Sequence, residues 1–181
     1  AGAYWERLAR RGCRARIRRE QVGYALPRAA FCPPGPSVPN IDLRPAEPRD
    51  LDALVEASAA MALEESRDDP RSRNPTLFRA RIADRIGKQR DFVLFEGPKL
   101  VFKVNVAAVS PFGGHIEGVY TAPSHRRRGL GKAGIAWVTA WILERGAVAT
   151  LLVNRDNAEA RRLYEDLGFA FTHESCTILA R

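Results

Sequence analysis

HIEGVYTAPSHRRRGLGKAGIAWVTAWILERG, residues 115–146, changes its pattern twice, and those two changes decide the fold. HIEGVYT (115–121) reads as a strand. The polar stretch APSHRRRGLG (122–131), opened by Pro123, reads as a loop. KAGIAWVTAWILERG (132–146) reads as a helix that Gly146 ends. VATLLVN (148–154) is a further strand, Ala158 to Leu167 a helix closed by Gly168, and Phe169 to Leu179 a last strand. A strand–helix–strand crossover predicts that 115–121 and 148–154 lie parallel in one sheet.

Working back from this unit, DFVLFE (91–96), the turn Gly97-Pro98-Lys99 and LVFKVNVAAV (100–109) form an expected hairpin. Leu77 to Ile86 and the stretch capped by Asp50, with Leu51, Leu54, Val55 and Met61 at helical spacing, read as helices; Ile41 to Leu43 reads as a short strand. The fold class is α/β with a mixed sheet. Pro27, Pro33, Pro34, Pro36 and Pro39 read as a linker, so residues 1–40 are expected to be a basic, proline-rich segment or the remnant of a preceding domain, and 41–181 the main folded domain. Of the formal net charge of +8, Arg7, Arg10, Arg11, Arg14, Arg16, Arg18, Arg19 and Arg28 against Glu6 and Glu20 place +6 in residues 1–28.

The loop carries the chemistry. Glycines at 129 and 131 let the backbone approach a ligand, and the first turn of the following helix leaves N–H donors unpaired. Arginines and Lys132 add charge suited to a pyrophosphate. GLGKAG (129–134) also matches a dinucleotide fingerprint, with Asp156 near the place of its acid. Against that reading, about seven residues, Pro123 among them, separate this fingerprint from the strand, and only 47 residues follow Gly134. A phosphate-binding P-loop fails outright, since its first glycine falls on Arg126 and its Ser or Thr on Ala133.

A second motif, Asn157-Ala158-Glu159-Ala160-Arg161-Arg162-Leu163-Tyr164-Glu165-Asp166-Leu167-Gly168-Phe169, separates these alternatives. Arg126, Gly129 and Gly131 match R/Q-x-x-G-x-G/A, and Asn157, Ala160, Leu163, Tyr164, Gly168 and Phe169 match N-x-x-A-x-x-L-Y-x-x-x-G-F. In this order and with a strand between them, the two motifs resemble those of the GNAT N-acetyltransferase superfamily, and the resemblance extends loosely back to Ile41. It implies the GNAT acyl-CoA N-acyltransferase fold, a mixed central sheet with a splayed parallel strand pair flanked by helices.

The resemblance also implies roles. Acetyl-CoA would be the donor, its pantetheine arm pairing with the backbone of Val119, Tyr120 and Thr121 and with Asn157, and its diphosphate lying on Arg126, Arg127, Arg128, Gly129, Leu130, Gly131 and Lys132. Tyr164 matches the general acid. Glu117 stands where some members carry a base that accepts a proton through water; strand alternation puts it on the face of Val119 and Thr121, where a structural carboxylate is the other reading. Glu64 and Glu65 would border the acceptor pocket or form an ordinary polar helix end. The acceptor would be a small-molecule amine, a peptide N-terminus or a lysine, attacked directly in a ternary complex, and a homodimer is common in the family.

His115, His125 and His173 show no metal-ligand spacing, and Cys13, Cys32 and Cys176 show neither a zinc pattern nor a disulfide framework, so no metal is expected. No run approaches the roughly 18 apolar residues of a membrane span, and a cytoplasmic, membrane-free protein is expected. Two rival functions are a non-catalytic acyl-CoA-binding regulatory module and nucleic-acid binding through the basic arm; the latter lacks any recognised motif.

Overall fold

The computed structural model describes residues 2–36 and 38–180. A helix, α1 (Gly2–Arg10), precedes strand β1 (Ala15–Pro27). Next come β2 (Arg44–Pro45), α2 (Leu51–Ser66), α3 (Pro75–Gly87) and the meander β3 (Asp91–Glu96), β4 (Lys99–Ser110) and β5 (Gly113–Thr121). The chain ends with α4 (Leu130–Arg145), β6 (Val148–Asn154), α5 (Ala158–Asp166) and β7 (Ala170–Ala180). All seven strands form one sheet, in the order β2-β3-β4-β5-β6-β1-β7.

The expected crossover is present: β5 and β6 are parallel, and every other neighbouring pair is antiparallel. The parallel pairing is short, running only from Gly114↔Ala149 to Ile116↔Leu151. Both strands continue beyond it, so their carboxyl ends part into a wedge. Two helical layers cover the sheet. On one face α4 packs Ile135, Val138 and Ile142 onto Phe92, Phe102, Val104 and Ile116, with Trp137 and Trp141 about 5 Å from the Phe92 ring. On the other, Leu54 of α2 and Ile82 and Ile86 of α3 pack on Val93. Gly134 is what lets α4 sit so close, since a Cβ there would fall 2.2 Å from Cε1 of Phe102.

Two expectations need correction. Residues 15–27 are not an irregular basic arm but a central strand, pairing with β6 from Gln21↔Asn154 to Pro27↔Val148 and with β7 along its length. The reason is apolar alternation: Val22, Tyr24 and Leu26 are buried against the α4 side of the sheet. The short strand expected at 41–43 lies instead at Arg44–Pro45. Leu43 is buried in the core beside it.

Candidate functional site

The wedge between β5 and β6 organises the site. Beyond Ile116 the inner edge of β5 has no strand partner. Ala122 donates its amide to the Val101 carbonyl, so by alternation Tyr120 also turns its backbone towards β4. Thr121, and Val119 two residues before it, therefore face the gap. The Thr121 carbonyl is met there by Arg126 Nε at 3.1 Å. Of the three residues expected to offer backbone groups, the register leaves two on the open edge.

Within β5 the register slips by one residue. Glu117 pairs with Asn105 and Tyr120 with Lys103, leaving Gly118 and Val119 opposite Val104 alone. Gly118 takes the left-handed φ of +61° that this bulge requires. The extra residue overturns the simple alternation: Glu117 shares its face with Tyr120, whereas Val119 and Thr121 turn towards α4. Glu117 is exposed, and Oε1 accepts from Asn105 Nδ2 at 2.7 Å.

Beneath Glu117 lies a polar layer without a sequence-level counterpart. Lys103, 1% exposed, donates from Nζ to the Gly118 carbonyl at 2.9 Å. Burial depresses its ammonium to about 8, against the opposing pull of Asp91. Asp91, fully buried, is paired with Arg85 at 3.0 Å, and desolvation still raises its carboxyl. On the same side, desolvation pushes the Glu65 carboxyl at the end of α2 upwards, opposed by the charges of Arg19 and Lys103.

At the wedge mouth, the turn before α4 combines left-handed φ at Arg127 (+58°) and Gly129 (+79°). No side chain caps α4. Among the described residues, no carbonyl outside the helix accepts from the amides of 127–132. The three arginines differ in use. Arg126 forms two bonds to Glu64, at 2.7 and 2.9 Å, and Arg128 pairs with Glu96, holding that carboxyl below its ordinary range. Arg127 is exposed and has no ion-pair partner among the described residues. Leu130 is buried, so only its amide can serve a ligand; Lys132 reaches Asp166 at 3.8 Å. Gly131 leaves 3.4 Å between an added Cβ and Leu163.

α5 closes the other side. Asn157 caps it, Oδ1 accepting from Ala160 N at 3.0 Å, which leaves Nδ2 free to donate elsewhere. Tyr164 is 7% exposed, and its hydroxyl has no partner among the described residues. Yet the oxygen is not among the polar atoms sealed from solvent without a hydrogen bond. Burial, helped by the charge of Glu65, pushes the phenol up to about 12. The helix is anchored by a residue that sequence reasoning missed: Tyr24 of β1 donates to Glu165 Oε1 at 2.5 Å and accepts from Arg161 Nε at 3.3 Å. Its ring centroid lies 6.4 Å from that of Tyr164. His115 bonds Thr150, His125 meets Glu96, and His173 lies over Gly23. Among the described residues, no group of three or more His, Cys, Asp or Glu side chains could hold a metal, and no helix is long and apolar enough to cross a membrane.

The sequence model of the Acetyltransferase (GNAT) family matches residues 59–169. No curated protein matches the chain significantly. Solved structures do resemble it. An acetyltransferase of the GNAT family from Colwellia psychrerythraea superposes with a TM-score of 0.68 at 15% identity, covering 97% of this chain and 60% of its own. A GNAT-family protein from Novosphingobium aromaticivorans gives 0.69 at 22%, covering 93% and 67%. A GCN5-related N-acetyltransferase from Sphaerobacter thermophilus gives 0.68 at 20%, covering 98% and 56%. At these identities the likeness is one of fold. The chain spans between 56% and 67% of the length of these proteins.

Proposed function

Because the chain belongs to the acetyltransferase (GNAT) family, we propose that it is an N-acetyltransferase moving an acetyl group from acetyl-CoA to a primary amine by direct attack in a ternary complex. One observation carries the reading: the parallel strands part after Ile116, with undirected loop amides at the mouth of the gap. The residues present suit such a donor. The left-handed turn at Gly129 leaves helix-start amides and the Arg127 guanidinium for a diphosphate, and Val119 and Thr121 leave backbone groups for a pantetheine amide. The donor supplies an acyl thioester; the remaining work falls to side chains.

Glu117 takes the proton that the amine nitrogen releases, through a water, while Asn105 holds its other contact. A C–N bond forms and the C–S bond breaks. Tyr164, protonated throughout the neutral range, donates to the departing sulfur and is reprotonated from solvent. Asn157 Nδ2 orients the pantetheine arm.

The test is calorimetric titration of acetyl-CoA into the wild type and an Arg127→Glu, Gly129→Glu double variant at fixed salt, with folding checked by circular dichroism. Binding by the wild type and loss in the variant is expected, followed by acetyl transfer within an amine panel. A folded wild type that does not bind acetyl-CoA would sink the reading, and binding without transfer to any amine would favour a non-catalytic acyl-CoA-binding module.

A further inference from the structure

Resting on the acyltransferase reading above, we propose that the acceptor is an amine that also bears a carboxylate, an amino acid in the broad sense, and that Arg19 binds that carboxylate.

The position comes from strand register. β1 meets β6 no earlier than Gln21↔Asn154, but its pairing with β7 runs on through Arg19↔Thr177 to Ala15↔Ala180. Residues 15–20 and 175–180 are thus a two-stranded ribbon standing past the carboxyl end of β6, at the end of the sheet where the wedge opens. Gln21 opposes Asn154, and Thr150, on the same face of β6, opposes His115. Alternation then places Arg19 on the face that carries His115 and Glu117. Glu65 links the two by charge: its carboxyl feels Arg19, and Tyr164 in turn feels Glu65.

Arg19 is also uncommitted. It is half-buried, and its Nε is sealed from solvent with no hydrogen-bond partner among the described residues. The acids of its own ribbon lie on the opposite face and are engaged elsewhere, Glu20 by Arg18 and Arg155 and Glu174 by Arg155, and among the described residues Glu65 forms no hydrogen bond or ion pair with it. A guanidinium is a planar fork of donors made for a carboxylate, and a buried donor left empty is uncommon without a ligand to fill it. Charge selects the ligand further. One guanidinium beside the carboxylate of Glu65, on the face of the sheet that also carries Glu117, suits a single negative charge with an ammonium close by, which is a zwitterion, better than a phosphate dianion.

The test uses matched acceptors: glycine, the other proteinogenic L-α-amino acids, β-alanine and 4-aminobutyrate, each against its own carboxamide. Initial rates are measured for the wild type, Arg19→Gln and Arg19→Lys with acetyl-CoA saturating. At least one acid is expected to exceed its carboxamide in kcat/KM by about tenfold or more, through KM, as for one charge-assisted pair. Arg19→Gln should erase that preference and Arg19→Lys restore part of it, with acetyl-CoA affinity unchanged in both. Equal use of acids and carboxamides by the wild type overturns the inference while leaving N-acetyl transfer standing. So does an Arg19→Gln loss that is the same for both members of a pair, since that would mark Arg19 as a structural counter-ion of Glu65. Transfer to no amine in either series overturns the inference together with the proposed function.

Discussion

Gly118→Ala is expected to destabilise the protein by breaking the bulge of β5. The residue sits at φ +61°, so an alanine must hold a left-handed conformation that costs roughly 1–2 kcal/mol. Its Cβ would also stand 1.9 Å from Asn105 Oδ1 and 3.2 Å from Lys103 Nζ. Asn105 is 3% exposed and cannot swing into solvent, so it has to abandon its bond to Glu117, leaving a buried amide poorly satisfied at a further ~1–3 kcal/mol. The sum centres near ~3 kcal/mol, or a fall in Tm of roughly 6–12 °C for a chain of this length. Urea denaturation and calorimetry of the wild type, Gly118→Ala, Asn105→Ala and the double variant measure it. Because Asn105→Ala removes the obstruction, the double variant should be less destabilised than the two single changes added, by about 1–2 kcal/mol. A Gly118→Ala protein within ~1 kcal/mol of wild type, or strict additivity in the cycle, would refute the steric account of the bulge.

Tyr164→Phe should lower kcat by ~10²-fold or more, the usual worth of a general acid, while acetyl-CoA affinity stays within about twofold; an unchanged kcat would remove Tyr164 from the chemistry. Lys103 links stability to pH. Its folded-state value of about 8 lies below the 10.5 of an exposed lysine, so between those values the unfolded chain binds more protons and stability rises with pH. The full swing is ~3 kcal/mol. Measured against Lys103→Met, the wild type should gain over that window and show no such gain below pH 7; parallel curves from pH 7 to 10.5 would contradict it. Arg85→Leu strands the buried carboxylate of Asp91 and should cost ~3–5 kcal/mol, with much of it recovered by adding Asp91→Asn, as read by denaturation at pH 7.

What the sequence made legible depended on whether a signal was local. The loop at 126–132 and the α5 motif are contiguous strings whose residue types and spacing encode backbone geometry, and the elements they lie between, β5, α4, β6 and α5, stand within a residue or two of their expected bounds. β1 was equally local, since Val22, Tyr24 and Leu26 alternate cleanly, but the arginines before it and the prolines after it carry the stronger compositional signal of a solvated segment. The isolated Gly118 within HIEGVYT is likewise the usual mark of a bulge. Overlooking it reverses the faces of every residue after it, because side-chain direction in a strand has a period of two.

The polar layer under Glu117 was illegible for a different reason. Asp91, Lys103 and Asn105 read as the ordinary polar beat of half-exposed strands, and nothing in β3 or β4 alone reveals that both faces are covered there. Only the sheet order, with α2 and α3 on one side and α4 on the other, turns that beat into a set of interior charges. β1 and the wedge follow the same logic. A strand from the start of the chain lies between β6 and β7, where it anchors the helix bearing Tyr164 through Tyr24 and carries Arg19 past the end of β6. The contiguous motifs therefore report the donor side of the site. On the proposed function, the acceptor side would be assembled from residues 19, 65 and 117, distant in sequence, and selectivity for the amine has to be sought there.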